Sequence, residues 1–317
     1  MRTITALFVG LGSIGTRHLK NLANLCADRG WTLQADALRS DLTRPLRPGA
    51  AELLHAQYTD PAAAPAHYDM VFITNPTSLH AEALRQVRGR GAALFIEKPI
   101  FSAGQTGLAL DELLPAGQKA YVAAPMRWCG AMLALKDRLP ALHPYCARVI
   151  CSSYLPDWRP GVDYRTVYSA RKALGGGVTI DLIHEWDYLV ELFGVPEKLY
   201  NFKGTYSELE IDSDDLSVYI AKYPTLLAEV HLDYFGRGYR RSIELFCRDG
   251  SYLADFGKGT LTLPDGTVQH YEEDVNRRYE REMEYFVDYA LTGCGESCNP
   301  PALALKVLKL TLGENVQ

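Results

Sequence analysis

Three groups of residues in this chain have the types and spacing that chemistry requires. The first is the glycine run Gly10-Leu11-Gly12-Ser13-Ile14-Gly15, which directly follows the apolar residues 3–9. The second is Glu97-Lys98-Pro99, and the third is Asp181 with His184. In that order, they suit the binding of a dinucleotide pyrophosphate, the presentation of a cation at the tip of a strand, and proton transfer near neutral pH.

The glycine run lies where a strand is expected to become a helix, because leucines recur at helical spacing in residues 16–25. Gly10 permits a tight turn, Gly12 lets backbone N–H groups approach phosphates, and Gly15 lets the helix pack on the strand. The helix N-terminus then faces the negative charge. A plain structural turn is the alternative, and the strand and helix on either side favour nucleotide binding.

Lys98 is expected at the tip of a strand. The residue before a proline avoids the helical region, so Lys98 is held extended and points into the crevice of the sheet. The preceding strand ends nearby in the motif 74–80. A solvated loop lysine is the alternative. Side chains predicted to contact a cofactor at these two strand ends are Thr74, Asn75, Pro76, His80, Glu97 and Lys98.

Asp181 and His184 share one face of a helix predicted over 181–193, with a carboxylate one turn before an imidazole. The glycines 175–177 leave room for a ligand to approach the backbone. An ordinary Asp/His pair on a helix surface is the alternative. The glycine triplet and the other two motifs favour catalysis.

The elements that must position these residues form two domains, 1–123 and 124–317. In the first, apolar runs alternate with helical patterns, which predicts a Rossmann domain with a doubly wound parallel sheet. In the second, hairpin signals join several strands, which predicts an α+β domain with a large, mostly antiparallel open sheet. The predicted strands are 3–9, 33–38, 70–74, 92–96, 120–122, 148–154, 216–223, 226–234, 241–247, 251–256 and 259–263, and the predicted helices include 78–87 and 104–114.

Composition narrows the class of protein. The 317 residues are 47% hydrophobic and 22% charged, with a net charge of −5, and no lysine or arginine block suggests nucleic acid or an anionic membrane as partner. No secretory leader and no apolar run of about 18 residues is present, so a cytoplasmic location is expected. The seven cysteines form no CxxC pair, and we assign no disulfide, metal site or chemistry to Cys294 and Cys298.

Taken together, these motifs resemble the Gfo/Idh/MocA family of NAD(P)-dependent sugar and cyclitol oxidoreductases. The resemblance covers nearly the whole chain and rests on five segments in family order. They are VGLGSIGTRHLKNL at 9–22, ITNPTSLH at 73–80, EKPI at 97–100, MRW at 126–128 and GGGVTIDLIHEWDYL at 175–189.

The resemblance implies hydride transfer between nicotinamide and a hydroxyl or keto carbon of a sugar, sugar acid, cyclitol or nucleotide sugar. It implies that Lys98, Asp181 and His184 are the catalytic set, with His184 as the proton-transferring group. The family's common spacing is DxxxH, whereas this chain has DxxH, so the two side chains meet the substrate at a different angle. The family's open sheet commonly forms a dimer interface, so a homodimer or homotetramer is expected.

The cofactor preference depends on the end of the second strand. An acidic residue there would bind the ribose 2′-OH of NAD, but this strand ends at Arg39 and Ser40, which suit the 2′-phosphate of NADP. Asp36 lies earlier, within the strand. We therefore prefer NADP, while a different register would bring Asp36 or Asp41 into play and favour NAD.

The predicted substrate side chains lie mainly in the segment that leads to the glycine triplet. Its arginines and tyrosines suit an anionic, hydroxyl-rich small molecule, and a solvated loop with surface ion pairs is the alternative. The predicted substrate-binding residues are Arg127, Arg159, Tyr164, Arg165, Asp181 and His184. Two other functions stay open: a non-catalytic NAD(P)-sensing regulator, and an epimerase or glycosidase that uses nicotinamide transiently.

Overall fold

The computed structural model describes residues 2–292 and 295–316, so the interpretation of Cys294 lies outside the described residues. The chain divides into two compact units. The first contains residues 2–123 together with 279–292 and 295–305, and the second contains residues 124–278 together with 306–316. The C-terminal segment 279–305 thus returns to the unit that the N-terminus begins.

The first unit is built on a parallel sheet of six strands. Its order, β3-β2-β1-β4-β5-β6, changes direction at β1 and confirms the predicted doubly wound fold. The strands are β1 Thr3–Val9, β2 Thr32–Leu38, β3 Leu54–Tyr58, β4 Tyr68–Ile73, β5 Gly91–Ile96 and β6 Lys119–Val122. β3 was not predicted from the sequence; it lies at the edge of the sheet, and none of its residues is buried.

Three helices follow strands of this sheet: α1 Ser13–Asp28, α2 His80–Gln86 and α3 Leu110–Leu113. The prediction of one helix over 104–114 was wrong. A 3₁₀ turn occupies Ala103–Gln105, and α3 contains four residues. Two glycines in this stretch, Gly104 and Gly107, weaken a continuous helix, and the Ser102–Gln105 capping box closes the short turn instead.

The second unit is built on a sheet of eight strands in the order β14-β13-β12-β11-β7-β10-β9-β8. All neighbours are antiparallel except β7 and β10, which confirms the prediction of a mostly antiparallel open sheet. The strands are β7 Cys146–Tyr154, β8 Lys198–Gly204, β9 Leu216–Lys222, β10 Leu227–Asp233, β11 Phe235–Cys247, β12 Gly250–Asp255, β13 Thr260–Thr262 and β14 Val268–His270. The unpredicted strands β8 and β14 are its two edges.

The second unit also contains α4 Gly130–Arg138, α5 Val178–Asp181 and α6 His184–Phe193. The prediction of one helix over 181–193 was wrong, because Leu182 and Ile183 form a turn between α5 and α6. α6 is buried on nearly every face, including Glu185 and Asp187. Trp186 meets Tyr219 of β9 edge to face at 5.1 Å, which ties this helix to the sheet.

Two helices end the chain, α7 Val275–Thr292 and α8 Pro301–Thr311. Phe286 of α7 contacts Phe72 and Phe95 of the parallel sheet at centroid distances of 5.4 and 5.2 Å. Phe72 in turn stacks on Phe8 at 4.5 Å, so aromatic rings connect neighbouring strands in the core of the first unit. Among the helices of the described residues, none is long and apolar enough to cross a lipid bilayer.

Candidate active site

The glycine turn between β1 and α1 is shaped by close backbone packing. Gly10 has φ +86°, and a Cβ added to it would lie 2.7 Å from the Cα of Asn75. A Cβ on Gly15 would lie 2.6 Å from Oγ1 of Thr74. The Thr74 hydroxyl donates to the carbonyl of Gly10 at 2.6 Å. The turn therefore requires glycine at these two positions, and Thr74 holds it from the end of β4.

The same turn fits a dinucleotide pyrophosphate. Within the described residues, nothing lies within 4 Å of a Cβ added to Gly12, so the approach to the backbone is open there. α1 begins at Ser13 with no acidic residue in its first turn and no side-chain cap from the described residues. The N–H groups near Ser13 and Ile14 are thus available to an anion. Oδ1 of Asn75 is buried without a hydrogen-bond partner in the described chain, which leaves an acceptor beside Gly10.

The end of β2 is basic. Arg39 donates to Oε1 of Gln57 at 2.7 Å and to the carbonyl of Arg44, and the adjacent Ser40 is exposed. With Arg47, these arginines line a hollow of about 420 Å³. Glu52 also lines this hollow. The two aspartates near the end of β2, Asp36 and Asp41, have hydrogen-bond partners of their own.

Asp36 is 4% exposed and accepts from the hydroxyl of Tyr68 at 2.8 Å, with Nδ1 of His55 at 3.1 Å. It lies inside the strand, where the sequence placed it. Asp41 accepts from the backbone and the hydroxyl of Thr43. Those two hydrogen bonds are the largest causes that hold the pKa of Asp41 below its usual value.

Lys98 follows β5 in a turn that buried side chains fix through the backbone. Oε1 of Glu97 lies 2.6 Å from Nε2 of His18, and Oε2 accepts from the backbone N–H of Lys98 at 3.0 Å. Burial acts to raise the pKa of Glu97, but His18 and Lys98 outweigh it and the pKa is lowered. The carboxylate of Glu97 therefore links α1 to the backbone of Lys98. Lys98 is partly exposed, whereas Glu97 and Pro99 on either side of it are buried.

His80 fixes the other side of this turn. It is fully buried, with Nδ1 3.1 Å from the carbonyl of Ile100 and Nε2 3.0 Å from the carbonyl of Asn75. Burial lowers the pKa of His80. The contacts with the backbone carbonyls act in the opposite direction, because they favour the protonated imidazole, but the effect of burial is larger. His80 thus joins the Lys98 turn to the strand end beside Gly10, through the backbone on both sides. Pro76 is exposed in the same loop.

In the second unit, Asp181 ends α5 and is 7% exposed. Its carboxylate accepts from the hydroxyl of Tyr168 at 2.6 Å and from that of Tyr234 at 2.5 Å. Burial and the charge of Asp181 raise the pKa of both phenols. The tyrosines therefore stay protonated and donate one hydrogen bond to each oxygen of the Asp181 carboxylate.

His184 begins α6 and is partly exposed. Arginines hold this helix from two directions. Arg127 donates to both carboxylate oxygens of Asp187 at 2.8 Å and to Glu191 at 2.6 Å. Arg241 donates to Glu185 at 2.7 Å. Different partners thus hold α5 and α6, which explains the turn between Asp181 and His184. Arg127, predicted to bind substrate, is 3% exposed and engaged with these carboxylates.

Two glycines of the triplet, Gly176 and Gly177, are required by the packing of the chain itself. A Cβ on Gly176 would lie 2.0 Å from the carbonyl oxygen of Tyr168. Gly177 has φ +129°, and its Cβ would lie 2.4 Å from Oδ1 of Asp214. Oδ2 of the same carboxylate accepts from the backbone N–H of Thr179 at 2.9 Å. These contacts place α5, and give Gly176 and Gly177 a cause other than the ligand approach that the sequence suggested.

Of the other predicted substrate residues, Tyr164 and Arg165 contact the loop before β9. The hydroxyl of Tyr164 accepts from the backbone of Glu210 at 3.2 Å, and Arg165 binds Asp163 and Glu210. Arg159 is exposed, and its guanidinium lies 5.8 Å from the ring centre of Tyr168.

Sequence reasoning missed three residues that hold the predicted site: His18, Tyr168 and Tyr234. His18 lies one turn beyond the glycine run, on the helix that the run begins, and that position is a usable signal. Tyr168 lies among the other arginines and tyrosines of the predicted substrate segment. Nothing local singles out Tyr234, which is 53 residues from Asp181 and reaches it through the sheet.

Comparisons with known proteins agree with this fold. Levoglucosan dehydrogenase in complex with NADH and levoglucosan is 15% identical, with a TM-score of 0.82 over 98% of this chain and 96% of its own. An oxidoreductase from Agrobacterium radiobacter, in complex with NAD⁺, L-tartaric acid and magnesium, is 17% identical, with a TM-score of 0.79 over 98% and 95%. Myo-inositol 2-dehydrogenase from Lactobacillus plantarum is 20% identical, with a TM-score of 0.75 over 98% and 96%.

A search of curated proteins by sequence found no match. Residues 4–123 match the family described as an oxidoreductase family with an NAD-binding Rossmann fold. This match contains the glycine turn, the basic end of β2 and the Lys98 turn. The first 123 residues of this chain therefore carry the NAD-binding Rossmann fold of the Gfo/Idh/MocA oxidoreductases, the family to which the sequence motifs point.

Proposed function

We propose that this protein is an NAD(P)-dependent oxidoreductase that transfers a hydride between nicotinamide and a hydroxyl or keto carbon of a carbohydrate-type substrate. The observation that carries the proposal is the family match over a glycine turn that fits a pyrophosphate. The similar solved proteins include a levoglucosan dehydrogenase, a myo-inositol 2-dehydrogenase and an oxidoreductase with bound L-tartaric acid. Those names support a small polyhydroxylated substrate.

In the proposed reaction, Lys98, Asp181 and His184 form the catalytic set. A bound nicotinamide supplies the position that accepts or gives the hydride. In oxidation, the imidazole of His184 takes the hydroxyl proton, since its usual pKa suits proton transfer near neutrality. The ammonium of Lys98 orients and polarises the same oxygen. Asp181, held in place by two phenols, accepts a hydrogen bond from a neighbouring hydroxyl of the substrate. In reduction the proton moves the other way.

We propose NADP as the preferred cofactor. Arg39, Arg44 and Arg47 line the hollow at the end of β2, and an arginine near this position accommodates a 2′-phosphate. Replacing Arg39 by Gln should weaken NADPH binding about tenfold or more, the size of one charge-assisted contact, and leave NADH binding within about twofold. Equilibrium titration of both reduced cofactors tests this, with Arg85→Gln as a control arginine of the same unit. An equal loss for NADPH and NADH would contradict the proposal.

We propose that the protein is a homo-oligomer whose subunits meet at the outer face of the eight-stranded sheet. Adjacent strands there expose large apolar side chains at alternating positions: Tyr200 is 51% exposed, Phe202 72%, Ile220 40% and Leu227 49%. Contiguous apolar patches of this kind mark interfaces. Phe202→Asp with Ile220→Lys should shift the mass measured by light scattering to that of a monomer.

A cytoplasmic location stays a prediction from the sequence.

The experiment that tests the function is a turnover screen that follows the absorbance of the reduced nicotinamide. NAD and NADP are each combined with sugars, sugar acids, cyclitols and nucleotide sugars, beside a Lys98→Ala variant. We expect the wild-type protein to reduce the cofactor with at least one of these substrates, and the Lys98→Ala variant to lose this activity. Tight cofactor binding without reduction by any substrate, and without conversion detected by product analysis, would instead favour a sensor. Conversion without net cofactor reduction would favour the transient use of nicotinamide.

A further inference from the structure

The segment between β7 and α5 in the second unit exposes two aromatic rings and a cation. Trp158 is 37% exposed, Tyr168 is 43% exposed, and Arg159 is exposed between them in the sequence. Exposed aromatic side chains lose favourable burial, and their clustering near a buried carboxylate calls for a physical reason. The contacts of each ring show that the group is built around Asp181.

On one side, the indole of Trp158 is fixed. Its N–H donates to the hydroxyl of Ser153 at 3.1 Å, and its ring meets that of Tyr234 edge to face at 5.2 Å and 87°. Tyr234 is fully buried and donates to Asp181. The exposed face of Trp158 is therefore held in a defined position relative to that carboxylate.

On the other side, Tyr168 donates to the second oxygen of Asp181, and Arg159 lies over its ring at 5.8 Å. A carboxylate oxygen has two lone-pair positions, so Asp181 can accept further hydrogen bonds from a ligand. The exposed ring of Tyr168 thus lies beside both an acceptor and a cation.

Arg159 differs from the other arginines of the same segment. Arg165 binds Asp163 and Glu210, and Arg171 lies 3.8 Å from Asp212. Across residues 2–292 and 295–316, Arg159 makes no ion pair. Carboxylates of this segment and of the loop before β9 thus neutralise the neighbouring arginines. The guanidinium of Arg159, over the ring of Tyr168, is left for an anion from outside.

We infer that Trp158, Tyr168 and Arg159, together with Asp181, bind a carbohydrate that carries an acidic group. The inference rests on the proposed function, because it assigns this group of residues to the substrate. The C–H face of a sugar packs on the fixed aromatic rings, and Asp181 accepts from its hydroxyls. Arg159 binds the carboxylate or phosphate through paired N–H groups. This chemistry favours a sugar acid or sugar phosphate over a neutral sugar or a cyclitol.

The test is calorimetric titration of the full chain, saturated with reduced cofactor, with D-gluconate, D-glucuronate, D-glucose 6-phosphate and D-glucose. We expect at least one of the three acidic ligands to bind at least ten times more tightly than D-glucose. Which acidic ligand binds distinguishes a carboxylate from a phosphate. Arg159→Gln should remove that preference, and Trp158→Ala should weaken every ligand that binds. Arg248→Gln, an exposed arginine of the same unit, is the matched control and should change nothing.

The inference is overturned if none of the three acidic ligands binds more tightly than D-glucose. It is overturned in the same way if no ligand binds at all. It is also overturned if Arg159→Gln keeps the wild-type preference for an acidic ligand. These outcomes can be told apart from a failure of the proposed function. Binding that depends on Arg159, without hydride transfer to or from either cofactor, would contradict the function and leave the ligand assignment standing. Turnover of neutral sugars at a rate that Arg159→Gln does not change would contradict the ligand assignment and leave the proposed function standing.

Discussion

Lys98 in the first unit and Asp181 in the second are held in opposite ways. The turn that carries Lys98 is fixed through its backbone, by Glu97 on one side and His80 on the other. The ammonium itself has no hydrogen-bond partner in the described chain. The carboxylate of Asp181 is instead held directly, by one phenol on each oxygen. The cationic side chain of Lys98 is thus left available to a substrate, whereas the carboxylate of Asp181 is fixed in position by donors of its own unit.

This difference predicts where substitutions act. Removing the Lys98 side chain should leave the fold intact, because its supports contact the backbone. Replacing Asp181 by Asn should affect both chemistry and stability, because the neutral amide keeps only one acceptor oxygen for the two phenol donors.

The largest effect is expected for Lys98→Ala. Loss of the group that polarises the reacting oxygen should reduce turnover about 10²–10³-fold, the usual cost of removing one donor that stabilises a developing oxyanion. The free energy of unfolding should change by less than about 0.5 kcal/mol, since the side chain is not buried. Steady-state kinetics and urea unfolding measure the two quantities. A large loss of stability would contradict fixation through the backbone.

Asp181→Asn should reduce turnover about 10²-fold and also lower the free energy of unfolding by about 1.5–3 kcal/mol, the value of hydrogen bonds to a charged group. The same two measurements apply. Unchanged stability in this variant would remove the contrast with Lys98. Asp137→Asn, at an exposed aspartate of α4 in the same unit, is the control for the change of side chain.

Glu97→Gln tests the support of Lys98 through pH. The pKa of Glu97 is lowered from its usual 4.5, so its stabilising contribution is complete above about pH 4.5 and disappears as the pH falls through the lowered value. Wild-type stability should therefore fall more steeply than that of the variant between about pH 5 and 3. At neutral pH the variant should lose about 1–3 kcal/mol, since a buried hydrogen-bonded carboxylate is replaced.

Urea unfolding at several pH values measures this dependence, with the exposed Glu52→Gln as control. Parallel pH profiles of wild type and Glu97→Gln would show that the contact between Glu97 and His18 contributes nothing to the fold. A second readout is kcat, which should fall in Glu97→Gln while the affinity for cofactor stays within a few-fold, because the glycine turn is untouched.

The smallest effect separates the two tyrosines that hold Asp181. Tyr234→Phe should cost about 1 kcal/mol of stability, since the lost hydrogen bond is buried. Tyr168→Phe should cost less, because water can replace a half-exposed hydroxyl at the carboxylate. Thermal unfolding of both variants gives the order. The reverse order would mean that Tyr168 is the principal support of Asp181.

The sequence predicted the interior of both sheets better than their edges. Every strand that it missed, β3, β8 and β14, lies at the edge of a sheet. Edge strands bury fewer side chains, so the apolar pattern that marks central strands is weak there. The prediction of one helix over 181–193 was wrong for another reason. The apolar positions continue at helical spacing through residues 182 and 183, but these residues form a turn that distant partners of Asp181 and Asp187 impose.

The sequence by itself determined the glycine turn, the parallel, doubly wound sheet of the first unit and the position of Lys98 after a strand of that sheet. These follow from short-range patterns: a strand, a turn that needs glycine, and a proline that restricts its neighbour. The tertiary structure decided that Arg127 holds a helix, that Gly176 and Gly177 accommodate the chain itself, and that Tyr168 and Tyr234 meet at Asp181. Those outcomes depend on side chains that folding brings together from distant positions, which no local pattern encodes.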